Sequence, residues 1–352
     1  MTQGLTFWTC ILFQLTAIPP LRGHSWESPS ASPLFQHEPF VVVWNMPTAR
    51  CQQRFGVTLP LQDYNIVENQ GNEFQGQNMT IFYKNKFGLY PYISAGRKPH
   101  YGGIPQKVHL RQHLERAAAE ITELLHPDFH GLAVVDWEEW RPLWQQNWGP
   151  MAVYKEASKQ WIWERFPEMP SKMQAHLAEV EFEEAARELM EETLAVGREL
   201  RPWGLWGFYK FPDCFNNNWK KGEMYTGECS AAGVLQNDRL RWLWEASTAL
   251  FPSIYLSPNL PGPEHQLYVH HRLREAFRVA RFSLEPPLPV IAYSRVSYRR
   301  SAEYLSEADL VHTIGESAAL GATGLVLWGG QLLRPISCKC LVSHTWALSS
   351  PI

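Results

Sequence analysis

Asp136 and Glu138 are the residues of this chain best placed for acid–base chemistry. They lie in the run Leu-Ala-Val-Val-Asp-Trp-Glu-Glu-Trp-Arg-Pro-Leu-Trp over residues 132–144. Val134 and Val135 favour a strand, and an apolar run of this kind belongs in a covered sheet. Side chains alternate along a strand, so Asp136 and Glu138 project to one face and Trp137 to the other. Two carboxyls held this close repel when both are ionised, which raises at least one pKa and leaves a proton shared between them. A carboxylic acid kept protonated in this way can donate to a leaving group. Glu138, nearer the end of the strand, is the expected donor, its proton kept by burial and by the charge of Asp136. Asp136 would stabilise developing positive charge. Glu139 points the other way and reads as a solvated carboxylate. The bland alternative is a structural pair neutralised by nearby arginines.

Such a pair needs a scaffold. Strand-like runs recur at Phe40–Trp44, Asn65–Val67, Thr80–Tyr83, Ala133–Trp137, Leu205–Tyr209, Ser253–Leu256, Val290–Tyr293 and Leu325–Trp328. Helical periodicity lies between many of them, at Val108–Leu125, Ala152–Arg165, His176–Leu200, Asn237–Leu250, Glu264–Arg281 and Ser306–Leu320. The alternation predicts an α/β fold of parallel βαβ units, and seven or eight units favour a TIM-like barrel over an open sheet. Polar residues at the C-terminal ends of barrel strands line the active site. Asn45, the Asp136–Glu138 pair, Tyr209, Tyr255, Tyr293 and Trp328 end their runs and would converge on one cavity. Taken singly, each of these aromatics could equally be core or rim packing.

Composition narrows the options. The chain has 352 residues, 45% of them hydrophobic and 13% aromatic, and its sixteen tryptophans suit either a carbohydrate cleft or a core. A net charge of −3 gives no support for nucleic-acid binding through bulk electrostatics. No GxGxxG or P-loop follows any strand, no cysteine spacing resembles a zinc site, and no cofactor or metal is expected. Residues 5–18 read as the apolar core of a signal peptide spanning 1–23, without the usual basic start, and 24–38 as an N-terminal extension. That places the chain on the secretory route. The sequon Asn78-Met79-Thr80 is a candidate glycosylation site consistent with that route. Cys214 and Cys229 bracket a short polar loop and suit a local disulfide, while Cys51 could pair with Cys340 or Cys338. The run Asn216-Asn217-Asn218 reads as a turn.

Several blocks carry a resemblance. Asn-Met-Thr-Ile-Phe-Tyr (78–83), Leu-Tyr-Pro-Tyr (89–92), Gly-Gly-Ile-Pro-Gln (102–106) and Asp-Trp-Glu-Glu-Trp-Arg-Pro (136–142) closely resemble the vertebrate hyaluronidases, glycoside hydrolase family 56. So do Gly-Leu-Trp-Gly-Phe-Tyr (204–209), Phe-Pro-Ser-Ile-Tyr (251–255), His-Arg-Leu-Arg-Glu-Ala-Phe-Arg-Val (271–279) and Gly-Leu-Val-Leu-Trp (324–328). The blocks keep the family's order across a barrel of 39–330 and are most similar to the somatic, lysosomal or secreted members.

The resemblance implies a distorted (β/α) barrel that hydrolyses the β-1,4 bond after N-acetylglucosamine in hyaluronan, with chondroitin a second candidate polymer. It implies Glu138 as proton donor and Asp136 as the partner that shares its proton and holds the substrate acetamido group. The acetamido oxygen itself would be the nucleophile, the substrate-assisted form of retention. Tyr209 would orient that group and Trp328 pack against it. Asn45, Tyr90, Arg141, Asp213, Ser253, Tyr255 and Arg272 would line the cleft, the two arginines meeting uronate carboxylates through guanidinium forks. For Arg272 a solvated helix face is the bland alternative. The family often has a substrate-facing tyrosine near Asn217, and its absence here puts one sugar contact in doubt.

The resemblance ends near Gly330. Residues 331–352 read as a divergent tail with no cysteine-rich, growth-factor-like module, no last barrel helix and no hydrophobic anchor signal. Such a chain is expected to be a monomer, without a membrane anchor, delivered to the lysosome or the extracellular space. Two competing readings follow. One is an inactive or poorly folded hyaluronidase-like product that at most binds hyaluronan. The other is a chitinase-like lectin, which Arg141 and Arg272 disfavour because chitin has no carboxylates.

Overall fold

The computed structural model describes residues 38–219, 223–283 and 286–329. The signal segment, most of the extension and the 331–352 tail, with Cys338 and Cys340, lie outside the described residues. In chain order the strands are β1 (Val41–Asn45), β2 (Val67–Glu68), β3 (Met79–Tyr83), β4 (Tyr92–Ile93), β5 (Pro99–His100), β6 (Leu132–Asp136), β7 (Leu205–Phe208), β8 (Ile291–Ser294) and β9 (Gly324–Trp328). The helices are α1 (Ala49–Phe55), α2 (Leu110–Leu124), α3 (Ala152–Arg165), α4 (Ser171–Leu200), α5 (Ala231–Arg239), α6 (Arg241–Ala246), α7 (His265–Ala280), α8 (Glu307–Leu310) and α9 (Glu316–Ala319).

The strands form two parallel arcs, β2-β1-β9-β8 and β3-β6-β7, with β4 and β5 an antiparallel hairpin to one side. Isolated parallel bridges join the arcs through residues 250–253: Tyr209 with Phe251, Leu250 with Val290, and Ser253 with Tyr293. The Ser253–Leu256 run expected as a strand is thus reduced to bridging contacts. Gly207 explains how the 249–251 segment fits so closely, because a Cβ there would lie 2.3 Å from the Ala249 carbonyl oxygen. On the opposite side β2 and β3 share no ladder. Asn69 fills that seam: its Nδ2 donates to the Glu73 and Met79 carbonyls (both 2.9 Å), and its Oδ1 accepts from the Asn78 and Met79 amides. The result is the expected distorted (β/α) arrangement.

Strand alternation builds two cores. Val41, Val43, Met79, Ile81, Leu132, Val134, Ile291 and Val326 fill the barrel interior. Trp44, Phe82, Val135, Trp137, Trp206 and Phe208 face the helices. The longest helix, α4, packs against α2 and α3 and buries Phe182, Ala186, Leu189 and Leu194. The single helix expected at 237–250 is two. α5, capped by Ser230 on the Gly233 amide, ends at Leu240 (φ −90°, ψ 17°), and α6 restarts at once. The 306–320 helix contains a π-helical turn, Val311–Gly315, between α8 and α9. Among the described residues no helix is long and apolar enough to cross a membrane.

Candidate active site

The strand ends open into a cleft of about 950 Å³. Asp136, Glu138, Arg141, Tyr209, Asp213, Ser253, Tyr255, Arg272 and Trp328 line it, together with Lys210, Tyr293 and Arg295. Asp136 ends β6 on the interior face shared by Leu132 and Val134, whereas Trp137 lies 4% exposed on the helix side among Phe87, Tyr90 and Phe208. The alternation read from the sequence therefore brings both carboxyls to the cleft.

The burial falls on the other carboxyl from the one expected. Asp136 is the enclosed member, its pKa pushed up to about 7 by burial first and by the charge of Glu138 second, with Arg141, Lys210 and Lys84 pulling it back only in part. Its Oδ1 is buried with no hydrogen-bond partner among the described residues. Glu138 has a side chain 44% exposed and sits between two cations: Lys210 Nζ is 3.3 Å and Arg141 Nη2 3.8 Å from the same Oε1. Of the two carboxyls, Asp136 is therefore the one whose burial favours the protonated form. Glu139 is ion-paired with Lys84.

Lys210 carries no signal in the sequence beyond following Tyr209. It adopts φ 72°, its amide donates to Phe251 O at 2.8 Å, and burial together with nearby Arg141 lowers its pKa. Arg141 is nearly buried over the Phe211 ring, with Nη1 lacking a partner among the described residues.

Arg272 reaches the cleft from α7, so it is not on a solvated face, and each of its three nitrogens already has a protein partner. Nε donates to Asn216 Oδ1 (2.9 Å), Nη1 to Ser253 O (2.9 Å), and Nη2 lies 3.1 Å from Asp213 Oδ1. Burial pushes Asp213 upward, yet Arg272 and the Phe215 amide more than offset it, leaving its pKa below the ordinary value. The pair holds the cleft wall, which gives Arg272 a positioning role there. Asn216, read as a turn residue, is the buried hub of that wall, its Nδ2 donating to Gly227 O and Tyr268 O.

The floor is aromatic. The Tyr209 hydroxyl donates to Ser253 Oγ at 3.5 Å, and burial raises its pKa to about 12. Tyr255 stacks on Trp328 with ring centroids 6.4 Å apart, and the Arg295 guanidinium covers both rings. Two expected lining residues lie elsewhere. Tyr90 is fully buried behind the cleft, stacked on Trp137 and Trp140, because its neighbours form the helix-facing aromatic layer. Asn45 is 1% exposed and donates to Phe74 O, so it braces the β1 end.

Away from the cleft, Cys214 and Cys229 form the expected disulfide. Cys51 is also disulfide-bonded, and both of its candidate partners lie outside the described residues. Asn78 is half-buried with Nδ2 donating to Glu68 O at 2.8 Å, and Thr80 is fully buried with its hydroxyl donating to Gly76 O. The sequon therefore lies in the β2–β3 seam, where the nitrogen a glycan would use is already engaged. Among the described residues no group of three His, Cys, Asp or Glu side chains could hold a metal ion.

Comparison with known proteins matches the family model described as Hyaluronidase, glycoside hydrolase family 56, over residues 29–346. The chain belongs to the hyaluronidase family. The match extends beyond the 39–330 span drawn from the motifs. The chain is 54% identical to Hyaluronidase-3 of Mus musculus over 313 residues, covering 89% of this chain and 76% of that protein. It is 51% identical to Hyaluronidase-3 of Homo sapiens over 318 residues, covering 90% and 76%. Its fold is similar to bee venom hyaluronidase crystallised with a hyaluronic acid tetramer, with a TM-score of 0.80 at 29% identity over 88% of this chain and 98% of that one. This hyaluronidase is therefore a glycosidase on a TIM-like fold, and its acidic β6 end lies at the mouth of the barrel.

Proposed function

We propose that this hyaluronidase hydrolyses the β-1,4 bond between N-acetylglucosamine and glucuronate in hyaluronan by a retaining, substrate-assisted route. One observation carries the reading. Of the three carboxyls among the described cleft residues, Asp213 is engaged by Arg272, and Asp136 and Glu138 share one site where burial favours the protonated form of Asp136. With Asp136 and Glu138 sharing one proton, the family resemblance favours attack by the substrate's own acetamido oxygen over a separate enzyme nucleophile. Glu138, at the mouth, donates a proton to the leaving oxygen as the acetamido oxygen closes on the anomeric carbon. Asp136, once ionised, stabilises the positive charge that develops on the acetamide. The Tyr209 hydroxyl and the Tyr255–Trp328 stack hold the acetamido group in line. Water then opens the oxazolinium, with Glu138 taking its proton.

The site residues favour hyaluronan over an uncharged polymer because Arg141, Lys210 and Arg295 line the cleft. Chondroitin, with the same alternation of uronate and N-acetylhexosamine, is a second substrate on that chemistry. The lectin reading is disfavoured by the cations that line the cleft, since chitin has no carboxylates to meet them. The disulfides fit delivery through the secretory pathway to a lysosomal or extracellular site. The test is turnover of hyaluronan, chondroitin and chitin oligomers followed by proton NMR. Hyaluronan fragments released with N-acetylglucosamine at a β-configured new reducing end are expected. An α-configured product would refute retention, and absence of cleavage would refute the activity.

A further inference from the structure

Lys210 is the nearer of the two cleft cations paired with Glu138, and its backbone is strained to put it there. It adopts the left-handed conformation, φ 72°, which a non-glycine residue rarely takes. Its ammonium and the Arg141 guanidinium converge on Glu138 Oε1 at 3.3 and 3.8 Å. Donation from Glu138 needs a proton on this carboxyl, and its Oε1 already faces the N–H donors of two cations. Arg141 is locked, 8% exposed, whereas Lys210 is 34% exposed on a flexible four-carbon stem. The other charges facing Lys210 give it no alternative partner: Asp213 is held by Arg272, and burial favours the protonated form of Asp136.

We propose that Lys210 couples recognition of a substrate carboxylate to the arming of Glu138. The uronate carboxylate beside the reacting hexosamine takes over the ammonium, and Glu138, relieved of one cation, accepts the proton of Asp136. The O–H bond breaks at Asp136 and forms at Glu138, so the charge of the pair is unchanged and Asp136 becomes the carboxylate that faces the acetamide. A polymer without carboxylates leaves Lys210 on Glu138 and turns over slowly. This inference rests on the hyaluronan reading above.

The experiment compares the wild type, Lys210→Gly and Lys210→Arg on hyaluronan and on hyaluronan whose carboxyls have been reduced to alcohols. Glycine adopts φ 72° freely, so Lys210→Gly keeps the fold. One charge-assisted hydrogen bond corresponds to roughly a tenfold effect, so wild-type kcat is expected about tenfold lower on the reduced polymer. Lys210→Gly is expected to show kcat values within about twofold on the two polymers and a hyaluronan KM raised about tenfold, with Lys210→Arg restoring the preference. A lysine with a purely structural role would alter stability and leave the polymer preference intact in Lys210→Gly, which would overturn the proposal. If the wild type cleaves neither polymer, the proposed activity falls, and calorimetric binding of the two polymers still decides Lys210. Loss of affinity in Lys210→Gly for the carboxylated polymer alone supports the contact, and equal affinities in both proteins overturn it.

Discussion

At the scale of single residues, the cleft separates two carboxyls that the sequence shows only as a pair. Alternation along β6 made their shared face legible, but burial depends on what the loops after β6 and β7 bring over each group. They leave Glu138 toward solvent between Lys210 and Arg141 and enclose Asp136. Asp136 keeps its proton below about 7 and loses it above. If that proton is the one delivered through Glu138, kcat/KM falls as pH rises through about 7, and Asp136→Asn abolishes that alkaline limb. A pH–rate profile unchanged in Asp136→Asn would count against the shared proton. The same raised pKa lowers stability as pH rises from the unfolded value towards 7, because only the unfolded chain ionises in that window. Tyr90 was misplaced for a similar reason: an aromatic in a Tyr-Pro-Tyr block gives no sign of which layer it joins, and here Trp137 and Trp140 claim it.

At the scale of elements, the barrel depends on side chains where its ladders stop. Asn69 makes four hydrogen bonds across the β2–β3 seam, so Asn69→Ala should lower stability by about 2–4 kcal/mol, read as a shift in urea midpoint at unchanged m. A shift below about 0.5 kcal/mol would show the seam to be held otherwise. The Arg272–Asp213 pair is the corresponding brace on the α7 side. Arg272→Gln leaves Asp213 buried and uncompensated and should cost about 3–5 kcal/mol, more than a cleft-lining contact alone would. Period and β-branching made most strands and long helices readable. The α5–α6 break, the π turn after α8 and the bridging role of 250–253 were not, because each answers to packing between distant segments. Gly207, which admits Ala249, reads in sequence only as a glycine in a strand.

At the scale of the molecule, a net charge of −3 conceals a cleft carrying Arg141, Lys210, Arg272, Arg295, Arg299 and Arg300 against three carboxyls. A polyanion is drawn to that local field, and the attraction is screened by salt. Raising ionic strength from about 0.01 to about 0.1 M shortens the screening length from roughly 30 to roughly 10 Å, so KM for hyaluronan should rise about threefold or more with kcat little changed. A KM independent of salt would mean that the cleft cations serve only one another. Composition alone could not show this, since it sums charges that the fold segregates.

The central claim is that Glu138 delivers the proton to the departing sugar. The most direct measurement is kcat on hyaluronan for Glu138→Gln beside the wild type, with hyaluronan affinity measured on both. General acid catalysis contributes about 10²–10⁴-fold, so kcat should fall by that factor while the affinity stays within about threefold. A Glu138→Gln enzyme that keeps its wild-type kcat would contradict the account.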